Sequence, residues 1–364
     1  MQRTQGWRRL LAIVAMIGLV AAACSSDDDG DATATTTDPE QVDLIQTDSH
    51  VEAILQAGSF KCGTRDALPG FAVLQEDGTY EGFDVDFCRA VGIALSVDVE
   101  FVPVETAARF TALQTGEIDL LSRNTTITAT REFGEQADFG PVWVFDGQGV
   151  MVRADSGFSE FADLDDTTVC LVEGTTTQLN ITAAYEEAGL TLTEALSFAD
   201  TDLVQEAFIA GRCEVWTSDR SQLAALRSAF PDTEGGPDAL AILPDIFSKE
   251  PLAPAVINGS DLIDTVKVVA WAMLNAEELG VTSDNVDSLL GSDNADIQRL
   301  LGIEVEGEVF NPGFDLDPTF IRSIISELGN YGELWDRHLT PLGIPRGDNE
   351  LYTNGGLHYP PPYK

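Results

Sequence analysis

From about residue 60 onward, short apolar runs alternate with stretches of helical spacing, the pattern of an α/β architecture. Phe60 to Thr64 and Val99 to Val104 read as strands. Between them, Asp84 to Leu95 carries Phe87, Val91 and Leu95 at i, i+4 and i+8, which gives a helix one apolar face for a sheet. A helix from about Ala107 should stop at Gly116, a natural C′ residue, before a strand over Ile118 to Leu121. The same order restarts in mid-chain: a strand over Thr168 to Val172, a helix over Thr176 to Ala188 ended by Gly189, a helix over Thr201 to Ala210 ended by Gly211, and a strand over Val215 to Thr217. Leu262 to Leu279 is the longest late helix. Beyond it, Pro312, Pro318, Pro341, Pro345 and Pro360 to Pro362 predict an extended arm on the surface rather than more helix.

One internal echo links the two units. Gly116-Glu117-Ile118-Asp119-Leu120-Leu121-Ser122 matches Gly211-Arg212-Cys213-Glu214-Val215-Trp216-Thr217 in form: a helix-ending glycine, an acid three residues on, a short strand, and a polar residue eight after the glycine, Asn124 or Asp219. If the echo is structural, two similar lobes offer equivalent strand ends to one cleft, where open α/β sheets bind ligands.

The N-terminus follows a different pattern. Arg3, Arg8 and Arg9 precede an uncharged apolar run from Leu10 to small residues Ala21 to Ala23, as in an export signal. That run is too short for the roughly 20 residues of a membrane-spanning helix. Cys24 then stands where a bacterial lipobox places its lipid-modified cysteine, and this segment resembles one. The alternative is a secreted protein cut nearby. Residues 24–42, rich in Ser, Asp and Thr, read as a disordered tether.

Composition narrows the partners. With 61 acidic against 20 basic residues the chain carries −41, a field that repels phosphate backbones and anionic lipid surfaces. No nucleic acid is expected, and contact with the membrane is expected only through the lipid anchor. Cys62, Cys88, Cys170 and Cys213 are an even set in a compartment that permits disulfides, and three pairings are possible. Pairing each with its nearest neighbour favours Cys62 with Cys88 and Cys170 with Cys213. None shows the close spacing of a zinc site.

Three polar clusters carry candidate chemistry. Ser122 to Arg131 gathers hydroxyls, the amide of Asn124 and the guanidinium of Arg131 just beyond a strand, and a guanidinium fork can hold a carboxylate bidentately. Glu173 to Thr177 lies at a strand-to-helix junction, where free N–H groups favour anions. Capping by a Thr explains the same residues. Asp219 can pair with an ammonium or simply cap the helix beginning near Arg220. Together these match the two ends of a zwitterion: carboxylate on Arg131, amine on Asp219, secondary bonds from Thr126 and Thr176.

The segment Gly82-Phe83-Asp84-Val85-Asp86-Phe87 with Val91, Gly92 and Leu95 resembles the signature of bacterial solute-binding proteins of family 3, the type II binding proteins of polar amino acid ABC importers. The resemblance covers roughly residues 58 to 362. Ser122 to Thr126, Asp146 to Gly149, Gly174 to Thr177, Ser248 to Leu252, Gly329 to Glu333 and Gly355 to Tyr359 are similar to the general L-amino acid-binding subgroup, as is the pattern of four cysteines. The resemblance implies a two-lobed type II periplasmic-binding-protein fold with a hinge. It also implies ligand contacts from Arg131, Asp219, Asn124, Thr126, Thr175, Thr176 and Leu68. The expected organisation is a signal peptide over residues 1–23, the tether over 24–42, lobe one over 43–148 plus 254–364 with a C-terminal extension, and lobe two over 149–253. The expected function is capture of L-amino acids by a monomer, broad in specificity, for the transmembrane subunits of an ABC permease. A sensor presenting its ligand to a receptor, or a dehydratase with Glu173 as its acid, is the alternative. An enzyme is not expected. The only histidines, His50, His338 and His358, suit neither a triad nor a metal cluster, and neither metal nor cofactor is called for. The absence of a Gly-x-x-x-x-Gly-Lys-Ser/Thr loop excludes the transport ATPase.

Overall fold

The computed structural model describes residues 49–311 and 316–363, so the expected signal peptide (1–23), Cys24 and the expected tether (24–42) lie outside the described residues. Helix α1 (His50–Ala57), capped by the Ser49 hydroxyl, leads into β1 (Ser59–Thr64). A small antiparallel meander follows, made of β2 (Ala67–Leu68), β3 (Ala72–Leu74) and β4 (Tyr80–Glu81). Helix α2 (Phe83–Leu95) starts after Gly82, whose φ is 142°. A Cβ there would lie 2.1 Å from the Phe71 carbonyl oxygen, so the close approach of meander and helix requires glycine. Next come β5 (Asp98–Pro103), α3 (Arg109–Thr115) ended by Gly116 in the left-handed region, and β6 (Leu120–Leu121). A single π-helical turn, Thr130–Gly134, precedes β7 (Ala137–Phe139).

The chain then crosses through β8 (Val144–Asp146) to β9 (Gln148–Arg153), β10 (Thr167–Val172), α4 (Thr176–Ala188), β11 (Leu192–Phe198), α5 (Thr201–Ile209), β12 (Val215–Asp219), α6 (Arg220–Ser228) and β13 (Leu240–Ile242). It returns through β14 (Glu250–Leu252), antiparallel to β8, into β15 (Ala255–Ile257), α7 (Leu262–Glu278), α8 (Ala295–Leu300), α9 (Phe320–Leu328) and α10 (Tyr331–His338).

Two five-stranded sheets result, ordered β5-β1-β6-β15-β7 and β11-β10-β12-β9-β13. In each, three parallel strands stand in the order second, first, third, and an antiparallel strand borders the third. The sequence echo is therefore structural: β6 and β12 are equivalent strands, and Asn124 and Asp219 lie at corresponding ends. A disulfide accompanies the first strand of each sheet, Cys62–Cys88 joining β1 to α2 and Cys170–Cys213 joining β10 to the start of the β12 segment. No helix among the described residues is long and apolar enough to cross a membrane.

The prolines mislead at the C-terminus. Pro318 and Pro341 bracket α9 and α10 instead of forbidding them, because proline is tolerated before a helix start and after its end. An Asn330–Glu333 capping box starts α10. These helices and α7 pack on α2, and almost all of α2 is buried, where its sequence pattern showed one apolar face. The polar cost of that burial is met in part by the extension: Asp86 accepts from Arg89 of α2 itself (2.8 Å) and from Arg337 (3.1 Å) and His338 (2.7 Å) of α10. Beyond α10 the chain runs as short turns and extended segments. It is pinned there by Asn275 Nδ2 to the Pro361 carbonyl at 2.9 Å, and by the buried Tyr363 hydroxyl on the Val268 carbonyl.

Candidate functional site

The ends of β1, β6, β10 and β12 meet at one small cavity of about 40 Å³, lined almost entirely by polar and charged side chains. The first sheet's side supplies Arg131 from the π turn, a bulge type frequent at functional sites. Its Nη1 donates to the Thr126 carbonyl at 2.7 Å and its guanidinium carbon lies 5.6 Å from the Phe110 ring centroid, which pins it at the cavity wall. Asn124 holds φ 36°, a left-handed conformation that asparagine tolerates. This turns its N–H onto Asp84 Oδ2 (2.9 Å).

The other side supplies Thr175, Thr176, Thr177 and Asp219. Thr175 caps α4 by accepting from the Gln178 N–H at 3.2 Å, and Thr176 follows at the first helical position. Asp219 stands at the cap of α6 without capping it: the Arg220 N–H is taken by the Gly147 carbonyl (2.9 Å) and the Ser221 N–H by Asp146 (3.1 Å). Its carboxylate is thus buried at the cavity with no helical duty. Burial, then Asp146 and Glu250, push its pKa well above the usual carboxylate range, while Arg131 and Arg65 pull the other way. Such a carboxyl gains a full charge most readily when a cation arrives.

Of the residues expected at the site, Arg131, Asp219, Asn124, Thr126, Thr175 and Thr176 line this one cavity. Leu68 does not. It is fully buried among core aromatics and pairs with Ala72, whereas Arg65, three residues earlier, lines the cavity. Sequence reading also missed Arg109, Arg123 and Gln222. Gln222 could have been found, since it lies three residues after Asp219, about one turn along the same helix face.

The two sides touch. Arg65 donates to Gln222 Oε1 (3.2 Å) and Thr201 Oγ1 (2.8 Å), Asn124 Nδ2 to the same Gln222 oxygen (3.1 Å), and Arg109 Nη2 to the Gly174 carbonyl (3.2 Å). Thr126 and Thr176 hydroxyls stand 3.5 Å apart. At the paired crossover strands, Glu250 accepts from Thr176 (2.7 Å), Asn180 (3.2 Å) and Ser248 (2.6 Å), tying the hinge directly to the α4 wall. Among the described residues no cluster of His, Cys, Asp and Glu could hold a metal.

A profile of the bacterial extracellular solute-binding proteins, family 3, matches residues 60–354. The chain belongs to this family. The General L-amino acid-binding periplasmic protein AapJ of Rhizobium johnstonii is 42% identical over 316 residues, 84% of this chain and 90% of that protein. The glutamate/glutamine/aspartate/asparagine-binding protein BztA of Rhodobacter capsulatus is 38% identical over 324 residues, 87% of this chain and 94% of that one. Among solved structures, an ABC transporter periplasmic binding protein from Brucella ovis with glutathione bound superposes with a TM-score of 0.82 at 36% identity, covering 87% of this chain and 99% of the other. The family's two-lobed α/β architecture is the one described here.

Proposed function

We propose that this protein captures L-α-amino acids outside the cytoplasm and delivers them to an ABC permease. The ligand carboxylate is held by Arg131 and its ammonium by Asp219. The observation that carries this reading is the pairing of a pinned guanidinium from one lobe with a buried carboxylate, released from helix capping, from the other. Thr126, Thr175, Thr176 and Asn124 supply secondary bonds, and Leu68 acts only through packing. Residues 43–148 with 254–364 form one lobe and 149–253 the other. Ligand contacts to both lobes favour the closed arrangement, and the permease recognises that arrangement. The protein works as a monomer held to the membrane by lipid on Cys24 through the tether, and it performs no turnover. The head-group seat does not distinguish side chains, so breadth or selectivity is set elsewhere in the cavity.

The test is thermal unfolding against the twenty L-amino acids, after unfolding and refolding to strip bound ligand. Saturation at about 100 times Kd stabilises by about 2.7 kcal/mol. No shift with any of them overturns the reading, and release of a changed product from any of them overturns its non-enzymatic part.

A further inference from the structure

Among the described residues, Ser96, Asn124, Gln136, Asp166 and Glu306 hold positive φ without being glycine. Of these, Asn124 alone lines the ligand cavity. From its left-handed turn the side chain reaches across the cleft: Oδ1 accepts from Arg65 (3.3 Å), and Nδ2 donates to Gln222 Oε1 (3.1 Å) on α6. A left-handed residue other than glycine persists only where its surroundings hold it there. Here the hold comes from α2. Asp84 Oδ2 accepts the Asn124 N–H at 2.9 Å, and the Ser122 hydroxyl, two residues earlier, donates to the Asp84 carbonyl at 3.1 Å.

Asp84 is the second residue of α2 and is 5% exposed. The first two N–H groups of that helix, from Phe83 and Asp84, go to the carbonyls of Gly70 (2.8 Å) and Phe71 (3.0 Å), so they make no demand on the Asp84 carboxylate. The helix start favours a negative charge there. Asp84 itself does not line the ligand cavity.

We propose that Asp84 is a positioning residue for ligand capture: its ionised carboxylate holds Asn124 in the turn from which the Asn124 amide joins the two sides of the cleft. This rests on the amino-acid reading above and adds a proton to it. The pocket beside Asp84 is lined by the meander, the end of β6 and the crossover strands, through Phe71, Ser122, Trp143 and Leu252 among others, and by nothing from residues 149–249. Its burial is therefore the same whether the sides are joined or apart. That burial pushes its pKa up to about 7 from 3.8, while the Asn124 N–H, Arg65 and Arg123 pull the other way. A charged acceptor makes the stronger bond to the Asn124 N–H. Joining the sides thus favours the ionised form, and by linkage affinity rises as pH rises through about 7.

Calorimetric titration of the stripped and refolded protein, with whichever of the twenty L-amino acids gives the largest thermal shift, tests this through a double-mutant cycle. Asp84→Ala should weaken binding at least about tenfold at pH 8. Asn124→Gly takes the left-handed turn unaided and lacks the amide, so adding Asp84→Ala to it should cost less than about threefold more. Equal losses in the two backgrounds, or no loss in either, overturn the proposal, because a merely structural Asp84 acts alike in both. Asp84→Asn keeps the size and an accepting oxygen, and it decides the matter if the alanine variants fail to fold. Between pH 8 and pH 6 its affinity should fall less than that of the wild type by about threefold or more, since Asp219 titrates in both proteins. Identical pH profiles overturn the proposal and leave the head-group reading intact. Failure of every amino acid to bind the wild type overturns both.

Discussion

Arg131 and Asp219 illustrate how a residue becomes functional when its ordinary duty is done by another. A Thr126 carbonyl and the Phe110 face fix the guanidinium, and Gly147 and Asp146 satisfy the first N–H groups of α6, so the Asp219 carboxylate is left to the cavity. Arg131→Lys keeps the charge and loses the fork. Truncating a buried charge-assisted partner typically costs about 2 to 5 kcal/mol, so affinity for the best amino acid should fall roughly 30- to 5000-fold by calorimetry. Asp219→Asn keeps the size, removes the counter-charge for the ammonium, and should fall in the same range. Undiminished affinity in either variant would mean that the head group sits elsewhere. Arg131, Asp219 and the threonines were legible because each follows a strand end within a cluster of like-minded polar groups. Arg65 and Arg109 were not, because what makes them part of the site is meeting partners 65 to 157 positions away across the cleft.

At the scale of elements, the crossover strand β8 is short and would leave Phe145 exposed to competing bonds, but the C-terminal extension clamps it. Asn349 accepts from the Phe145 N–H at 2.7 Å and donates to its carbonyl at 2.9 Å, as a neighbouring strand would. Asn349 is itself buried. Asn349→Ala strands both backbone groups, at about 1 to 3 kcal/mol for a buried unsatisfied partner, and should lower unfolding stability by about 2 kcal/mol or more in urea. A midpoint equal to wild type would show that the clamp contributes nothing. The elements themselves were legible to different degrees. Helix α4 runs over Thr176–Ala188 as its Thr start and Gly189 stop foretell, and the Gly116 and Gly211 echo correctly marks equivalent strands. Helices α9 and α10 were hidden because prolines were read as breaks when they are boundaries. The near-complete burial of α2 was hidden for the same reason, since its outer face is covered by those helices.

At the scale of the whole molecule, the C-terminal extension ends in a buried relay that makes stability depend on pH. Tyr331 donates its hydroxyl hydrogen to the Trp143 carbonyl (2.8 Å), which only accepts, so the His358 Nε2 at 3.0 Å must donate to the Tyr331 oxygen. The imidazole thus carries a hydrogen on Nε2. It is packed against Tyr331 and Phe145, and the Arg346 guanidinium carbon lies 5.1 Å from the Tyr331 ring centroid. Burial first, and then the positive charge of Arg346, push its pKa down to about 3 from an ordinary 6.5. Between those values the unfolded chain binds a proton at this position that the folded protein refuses, so unfolding is favoured as pH falls. Above about pH 6.5 both states are neutral here and the effect is absent. Below about pH 3 both are charged and the loss is complete. Within the window the loss is about 1.4 kcal/mol per pH unit. His358→Gln keeps a donor for Tyr331 but cannot titrate. Its unfolding free energy, measured in urea at pH 7, 6, 5 and 4, should therefore decline less steeply than wild type by about that slope. Carboxylates such as Asp86, which burial raises and His338 and Arg89 more than offset, lose their stabilisation as pH falls through their own folded pKa below 3.8, and they do so in both proteins. The difference between the two curves isolates His358. Parallel curves from pH 7 to pH 4 would show that the fold does not lower the proton affinity of this imidazole.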